Sequence, residues 1–114
     1  MTRRTRQLQF DTKTKQKIYI RENGRCIFCT RGFHMHCTDP MLLEIKDVMH
    51  YINKSAGGLG IPENGVLGCR YHHGLLDNGN RGLRPEMLKI IEDYLKSIYP
   101  DWNPGKLIYK KYDF

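Results

Sequence analysis

Two short pairs constrain this chain more than anything else in it: Cys26-x-x-Cys29 and Cys69-x-x-His72, with 39 residues between them. Each pair spans a tight turn. Gly24 delivers the chain into the first, as expected for a knuckle in which two thiolates face one ion, and the second opens a helix. One pair of each kind can close a tetrahedral zinc site with no open position, a fold element rather than a catalyst. The chain needs such a staple. It has 114 residues, only 39% of them hydrophobic, and its mean hydropathy is −0.61. One small polar domain buries little apolar surface and usually adds disulfides or a metal. A disulfide framework is the alternative use of the four cysteines. It is disfavoured because MTRRTRQLQF has no apolar stretch behind its basic residues, so no secretory leader is expected. A reducing compartment turns short Cys/His spacings towards metal. His34, His36 and Cys37 compete for the same zinc or belong to an inserted loop.

The remaining segments read as a frame of class α+β. Residues 1–10, with Arg3, Arg4 and Arg6, are expected to be a flexible basic arm. Residues 11–23 predict a helix capped by Asp11 or Thr12 and ended by Gly24. Residues 30–43 read as a loop, broken by Gly32, Asp39 and Pro40. Residues 44–52 suggest a strand, and 66–68 a short second one. Between them, residues 53–65 hold four glycines, one proline and two asparagines, so 44–68 is a distorted hairpin with an elaborate tip. A short helix follows over 70–78, stopped by Gly79. The clearest helix is 85–99, where Leu88, Ile91, Leu95 and Ile98 form one apolar face. In the tail, Lys106, Lys110 and Lys111 alternate with Tyr109 and Tyr112, a strip that either touches nucleic acid or docks on the core.

Charge points the frame towards a partner. A net charge of +7 on 114 residues suits a phosphate-rich polymer. No run approaches transmembrane length and no basic amphipathic helix stands out, so a membrane partner is not expected. Four polar residues are left after the zinc pairs: His50, Asn64, His73 and Asp77. His73 and Asp77 are four apart and share a helix face. An imidazole beside a carboxylate suits a divalent ion that keeps positions open for water and substrate. His50, on the facing strand, is a candidate general base; taken alone, it reads better as a structural histidine.

The order His50–Asn64–His73, within MHYINKSAGGLGIPENGVLGCRYHH, resembles the HNH endonucleases of the ββα-metal type. With the zinc pairs it resembles their zinc-stapled phage and prophage branch. The resemblance covers roughly residues 16–79, leaving the arm before it and a helix and basic-aromatic tail over 80–114. It implies a small treble-clef-like ββα-metal fold in a single domain, 1–114, with a structural Zn²⁺ at Cys26, Cys29, Cys69 and His72. It further implies hydrolysis of DNA phosphodiester bonds with a catalytic Mg²⁺, Mn²⁺ or Ni²⁺. His50 would be the general base, Asn64 would pin the hairpin loop, His73 would bind the catalytic ion, and Asp77 falls where many members place a further ligand. One departure stands out. Met49 occupies the position before the base, where many members carry a ligand, and a thioether suits such ions poorly. Asp47, two residues earlier on the same strand face, is a candidate replacement. Arg3, Arg4, Arg6, Arg70, Arg81, Arg84, Lys110 and Lys111 are candidates for backbone contacts to DNA. The family implies a bacterial cytoplasm and, by the usual neighbourhood of such proteins, the phage packaging machinery as a partner. The alternative from another class is a zinc-binding nucleic-acid module that kept the fold and lost catalysis.

Overall fold

The computed structural model describes residues 2–77 and 82–110. Arg81 and Lys111 lie outside the described residues. The centre is a two-stranded antiparallel hairpin, β1 (Lys46–His50) and β2 (Gly65–Cys69), in the register Lys46↔Cys69 to His50↔Gly65. Every residue of β2 is buried. Its alternate side chains therefore need an apolar layer on each face. On one face Leu67 and Val48 meet Phe10 and Ile18. On the other, Val66 and Met49 join Phe28, Leu76, Met87, Ile91 and Leu95 in the larger cluster.

Among the described residues, six α-helices surround this hairpin. α2 (Thr12–Arg21) starts at Asp11, whose carboxylate accepts from the Thr14 N–H, and it buries Ile18. Gly24, at φ +67°, turns the chain out of it, as the sequence predicts. α3 (Ile27–Thr30) is the single turn carrying the first Cys pair. α5 (Arg70–Asp77) runs directly on from β2, and α6 (Arg84–Ile98) buries Met87, Ile91 and Leu95 at i, i+4 and i+8. The apolar stripe of α6 is thus centred one step from the face expected through Leu88 and Ile98. Glu22 is buried and gathers three elements: it pairs with Arg21, accepts the Tyr94 hydroxyl of α6, and accepts the Leu67 N–H of β2.

Two expectations are corrected. Residues within 30–43, read as loop, include the start of α4 (Pro40–Glu44). Asp39 and Pro40 are not breakers here. Asp39 caps the helix by accepting the Met41 N–H, and Pro40 occupies its first turn. The basic arm is also not free along its length. α1 (Arg3–Leu8) is a helix, Leu8 is buried, and Phe10 is buried against Leu67 and Val48 of the hairpin. Gly60 permits this contact, since a Cβ there would run into the Gln9 carbonyl, while its N–H donates to the Gln7 carbonyl at 2.9 Å. Among the described residues, no helix is long and apolar enough to cross a membrane.

Candidate metal centre and adjoining cleft

The knuckle α3 and the start of α5 bring Cys26, Cys29, Cys69 and His72 together, their ligand atoms all within 4.8 Å of one another. His72 Nδ1 lies 3.7 Å from Cys26 Sγ, 3.5 Å from Cys29 Sγ and 3.2 Å from Cys69 Sγ, and the Cys29 and Cys69 sulfurs are 3.8 Å apart. Ligands at Zn–S distances of about 2.3 Å on a tetrahedron are separated by about 3.8 Å, so the set fits a zinc-sized ion. The 3.8 Å gap is far beyond a disulfide bond, and all four cysteines are free. His72 is prepared for the task. Its Nε2–H donates to the Phe33 carbonyl at 2.6 Å, which leaves Nδ1 as the lone-pair nitrogen facing the sulfurs. Burial, then the neighbouring Cys26 and Cys69, pushes the Cys29 thiol well above its ordinary value. Three thiolates packed this closely need a cation among them. His34, His36 and Cys37 stand outside the cluster: the His34 ring packs on Phe33, His36 on His34, and the Cys37 thiol on the Asp39 carbonyl.

A second group forms on the other side of His72. His73 points away from the thiols and is bracketed by carboxylates. Its Nδ1 lies 3.1 Å from Asp47 Oδ2 and its Nε2 lies 2.9 Å from Asp77 Oδ2. A neutral imidazole donates from one nitrogen only; with Nδ1–H given to Asp47, the Nε2 lone pair and the Asp77 carboxylate form a two-ligand pair that can hold a divalent ion. Two ligand atoms on adjacent octahedral positions at about 2.1 Å sit about 3.0 Å apart, close to the observed Nε2–Oδ2 separation. Asp47 contacts the opposite nitrogen and also pairs with Arg70 at 3.2 Å. It therefore sits as the outer support of His73 rather than beside Asp77. Burial raises the Asp47 carboxyl, but the hydrogen bonds and charges of Arg70 and His73 together outweigh it and hold the pKa below its ordinary value. Met49 is 1% exposed and points into the core beside Gly68.

His50 approaches from the hairpin. It ends β1, packs its ring against that of Phe10 with centroids 4.1 Å apart and planes tilted by 39°, and donates Nε2–H to the Leu8 carbonyl at 2.9 Å. That bond leaves Nδ1 as the acceptor. Burial lowers its pKa from the ordinary value; the Leu8 contact opposes this and the charge of Lys54 adds to it. His50, His73 and Asp77 line one cleft of about 510 Å³, whose wall also holds Lys15 and Lys54. A neighbouring cleft of about 820 Å³ shares Lys15, His73 and Asp77 and adds Asp47 and Arg70. The two meet over the outer edge of β1, between α2 and α5.

Asn64 is wholly buried and ties the loop that follows His50. Its Oδ1 accepts the Ile52 N–H at 2.8 Å. Its Nδ2 donates to the carbonyls of Ile52 at 3.1 Å and Leu59 at 2.7 Å. Of the expected backbone-binding cations, Arg70 is exposed but braces Asp47, and Arg84 donates to the Leu76 carbonyl at the end of α5. Three participants escape a reading of the sequence. The carbonyls of Leu8 and Phe33 fix the two histidine tautomers, and backbone groups leave no trace in residue identity. Lys15, lying in both clefts, sits in a run of alternating lysines that looks like a solvated helix face. No family model, no curated protein and no solved structure matches the chain.

Proposed function

We propose that this chain is a metal-dependent endonuclease of the HNH type, hydrolysing DNA phosphodiester bonds. One observation carries the reading: His50, with its proton held at Nε2 by the Leu8 carbonyl, shares a single cleft with the His73–Asp77 pair. A base with a free lone pair, a pocket for a divalent ion and lysines for phosphate are the parts that phosphodiester hydrolysis needs. A Mg²⁺, Mn²⁺ or Ni²⁺ ion held by His73 Nε2 and Asp77 would supply Lewis-acid stabilisation of the charge that develops on phosphate. The chain's own residues do the rest. His50 Nδ1 takes a proton from a water molecule, whose oxygen forms the new bond to phosphorus as the bond to the 3′ oxygen breaks. The leaving oxygen takes its proton from solvent. Asp47, hydrogen-bonded to His73 Nδ1, fixes the orientation of that ring. Lys15 and Lys54 are positioned to hold the phosphate backbone in the cleft. The Cys26–Cys29–Cys69–His72 site, filled by zinc, joins α3 to the base of α5 and so sets where His73 lies.

A second reading rests on Met49. Met49, just before His50, lines the cleft, but its side chain is buried in the core and its thioether suits Mg²⁺ or Mn²⁺ poorly. The protein on this reading is a zinc-stapled DNA-binding module without catalysis. Plasmid nicking by the zinc-loaded protein with each of the three ions distinguishes the two. Nicking that is lost in His50→Ala supports the nuclease; a wild-type protein that binds DNA and never nicks it supports the module.

A further inference from the structure

The two ends of the described chain meet at the tip of the hairpin loop. Gly60 N–H donates to the Gln7 carbonyl of α1, while Leu59 N–H donates to the Leu107 carbonyl and Tyr109 N–H to the Gly57 carbonyl, both at 2.8 Å. Gly58 and Ile108 pair as an antiparallel bridge. Four loop residues, 57–60, thus clasp the N-terminal helix on one side and the tail on the other. Between them lies a cleft of about 360 Å³ lined by Arg3, Gln7, Lys106, Tyr109 and Lys110 among others, none of them acidic. Arg3, Lys106 and Lys110 are exposed, and none forms an ion pair among the described residues. Arg4 lies 6.0 Å from the Tyr109 ring centroid beside the cleft. By contrast, the lysines of α6, Lys89 and Lys96, are paired with Glu92 and Asp93.

We propose that this cleft is a second binding site for the DNA phosphate backbone, built jointly by α1 and the tail and separate from the catalytic cleft. This rests on the nuclease reading above and deepens it. Among the described residues no carboxylate joins these three cations, and a polyanion with regularly spaced charges would engage all three at once. The placement suits duplex DNA better than an acidic protein surface. α1 runs from this cleft to Leu8, whose carbonyl holds His50, and its six residues span about 9 Å. A strand seated at Arg3 therefore lies within a few phosphates of the one at His50, close enough for one duplex to reach both. The same helix would then report DNA engagement to the base, because whatever seats α1 also seats the Leu8 carbonyl.

The test is fluorescence anisotropy with a labelled DNA duplex and zinc-loaded full chain, from about 50 to 200 mM salt, without added catalytic ion. The triple variant Arg3→Gln/Lys106→Gln/Lys110→Gln is compared with wild type and with Arg31→Gln/Lys89→Gln/Lys96→Gln, which removes the same charge elsewhere. Equal zinc content and equal circular dichroism establish that each is folded. The slope of log affinity against log salt is expected to shrink by about 2.7 in the cleft variant, at ~0.9 per lost phosphate contact, and by less than about one in the comparison variant. If wild type binds and nicks DNA but the two triple variants have the same slope, the second site is wrong and the nuclease reading stands. If wild type does not bind duplex at all, the nuclease reading falls and this site with it.

Discussion

Removing the Asn64 amide should loosen the loop after His50 by an amount the structure allows one to work out. Asn64→Ala deletes three hydrogen bonds and leaves the Ile52 N–H and the carbonyls of Ile52 and Leu59 without these partners. Each such bond contributes about 1 kcal/mol net, and stranding its partner away from water costs about 1–3 kcal/mol. Ile52 and Leu59 are half-buried, so water recovers part of the loss, and a total of about 2–4 kcal/mol is expected. With a urea slope of about 1–3 kcal/mol per molar, the unfolding midpoint of the zinc-loaded protein should fall by about 1–2 M. Asn64→Asp sharpens the test. It keeps an acceptor for the Ile52 N–H but turns an oxygen towards two carbonyls. Burial and those carbonyls raise the pKa of the new carboxyl above its unfolded value, so its contribution is most favourable at low pH and is lost as pH rises through the folded pKa. Asn64→Asp should therefore be closest to wild type in mild acid and fall away from it towards neutrality. A midpoint for Asn64→Ala within about 0.3 M of wild type, equivalent to under 1 kcal/mol, would show that the three bonds do not hold the loop.

Other expectations follow from the division between the adjacent histidines. Cys69→Ser should lose zinc and helical signal together, whereas His73→Ala should keep about one zinc per chain, by metal analysis, and lose nicking; loss of zinc from His73→Ala would mean the two histidines are not separate in function. Because burial lowers the His50 pKa, the proposed base stays neutral below the ordinary histidine value. The acid limb of the pH–rate profile should have its midpoint below about 6.5, with activity rising through it as pH increases. Deleting residues 2–10 uncovers the His50 ring and removes the Leu8 carbonyl; that midpoint should move up towards about 6.5 and the maximal rate should drop, and an unchanged profile would count against α1 as the support of the base.

Much of this arrangement is legible in residue identity, and the illegible part has a common cause. The Cys26–Cys29 and Cys69–His72 spacings suffice to find the metal group, since ligand chemistry tolerates few residue types and short turns fix their geometry. The hairpin and the helices around it show through Gly24, the β-branched runs and the stripe of α6. That stripe is offset, to Met87–Ile91–Leu95: Met87 is wholly buried in the core cluster, while Leu88 only packs against its margin. What stays hidden depends on backbone groups and on few contacts. α1 docks through Leu8, Phe10 and the Gly60 N–H, too little apolar content to outweigh three arginines in any pattern count. Asp39-Pro40 carries a helix-start signal and a turn signal at once; its neighbours decide which applies. Glu22 caps the end of α2, four residues after the buried Ile18, and only its partners Arg21, Tyr94 and Leu67 explain a carboxylate there.

Supercoiled plasmid incubated with zinc-loaded protein and Mg²⁺, Mn²⁺ or Ni²⁺ tests the central claim most directly. The nuclease account predicts that wild type converts it to nicked or linear product with at least one of these ions, that chelation of the added ion stops the reaction, and that His50→Ala is slower by about two to four orders of magnitude while still binding DNA. Conversion by His50→Ala at the wild-type rate, or no conversion by folded, DNA-binding wild type with any of the three ions, contradicts it.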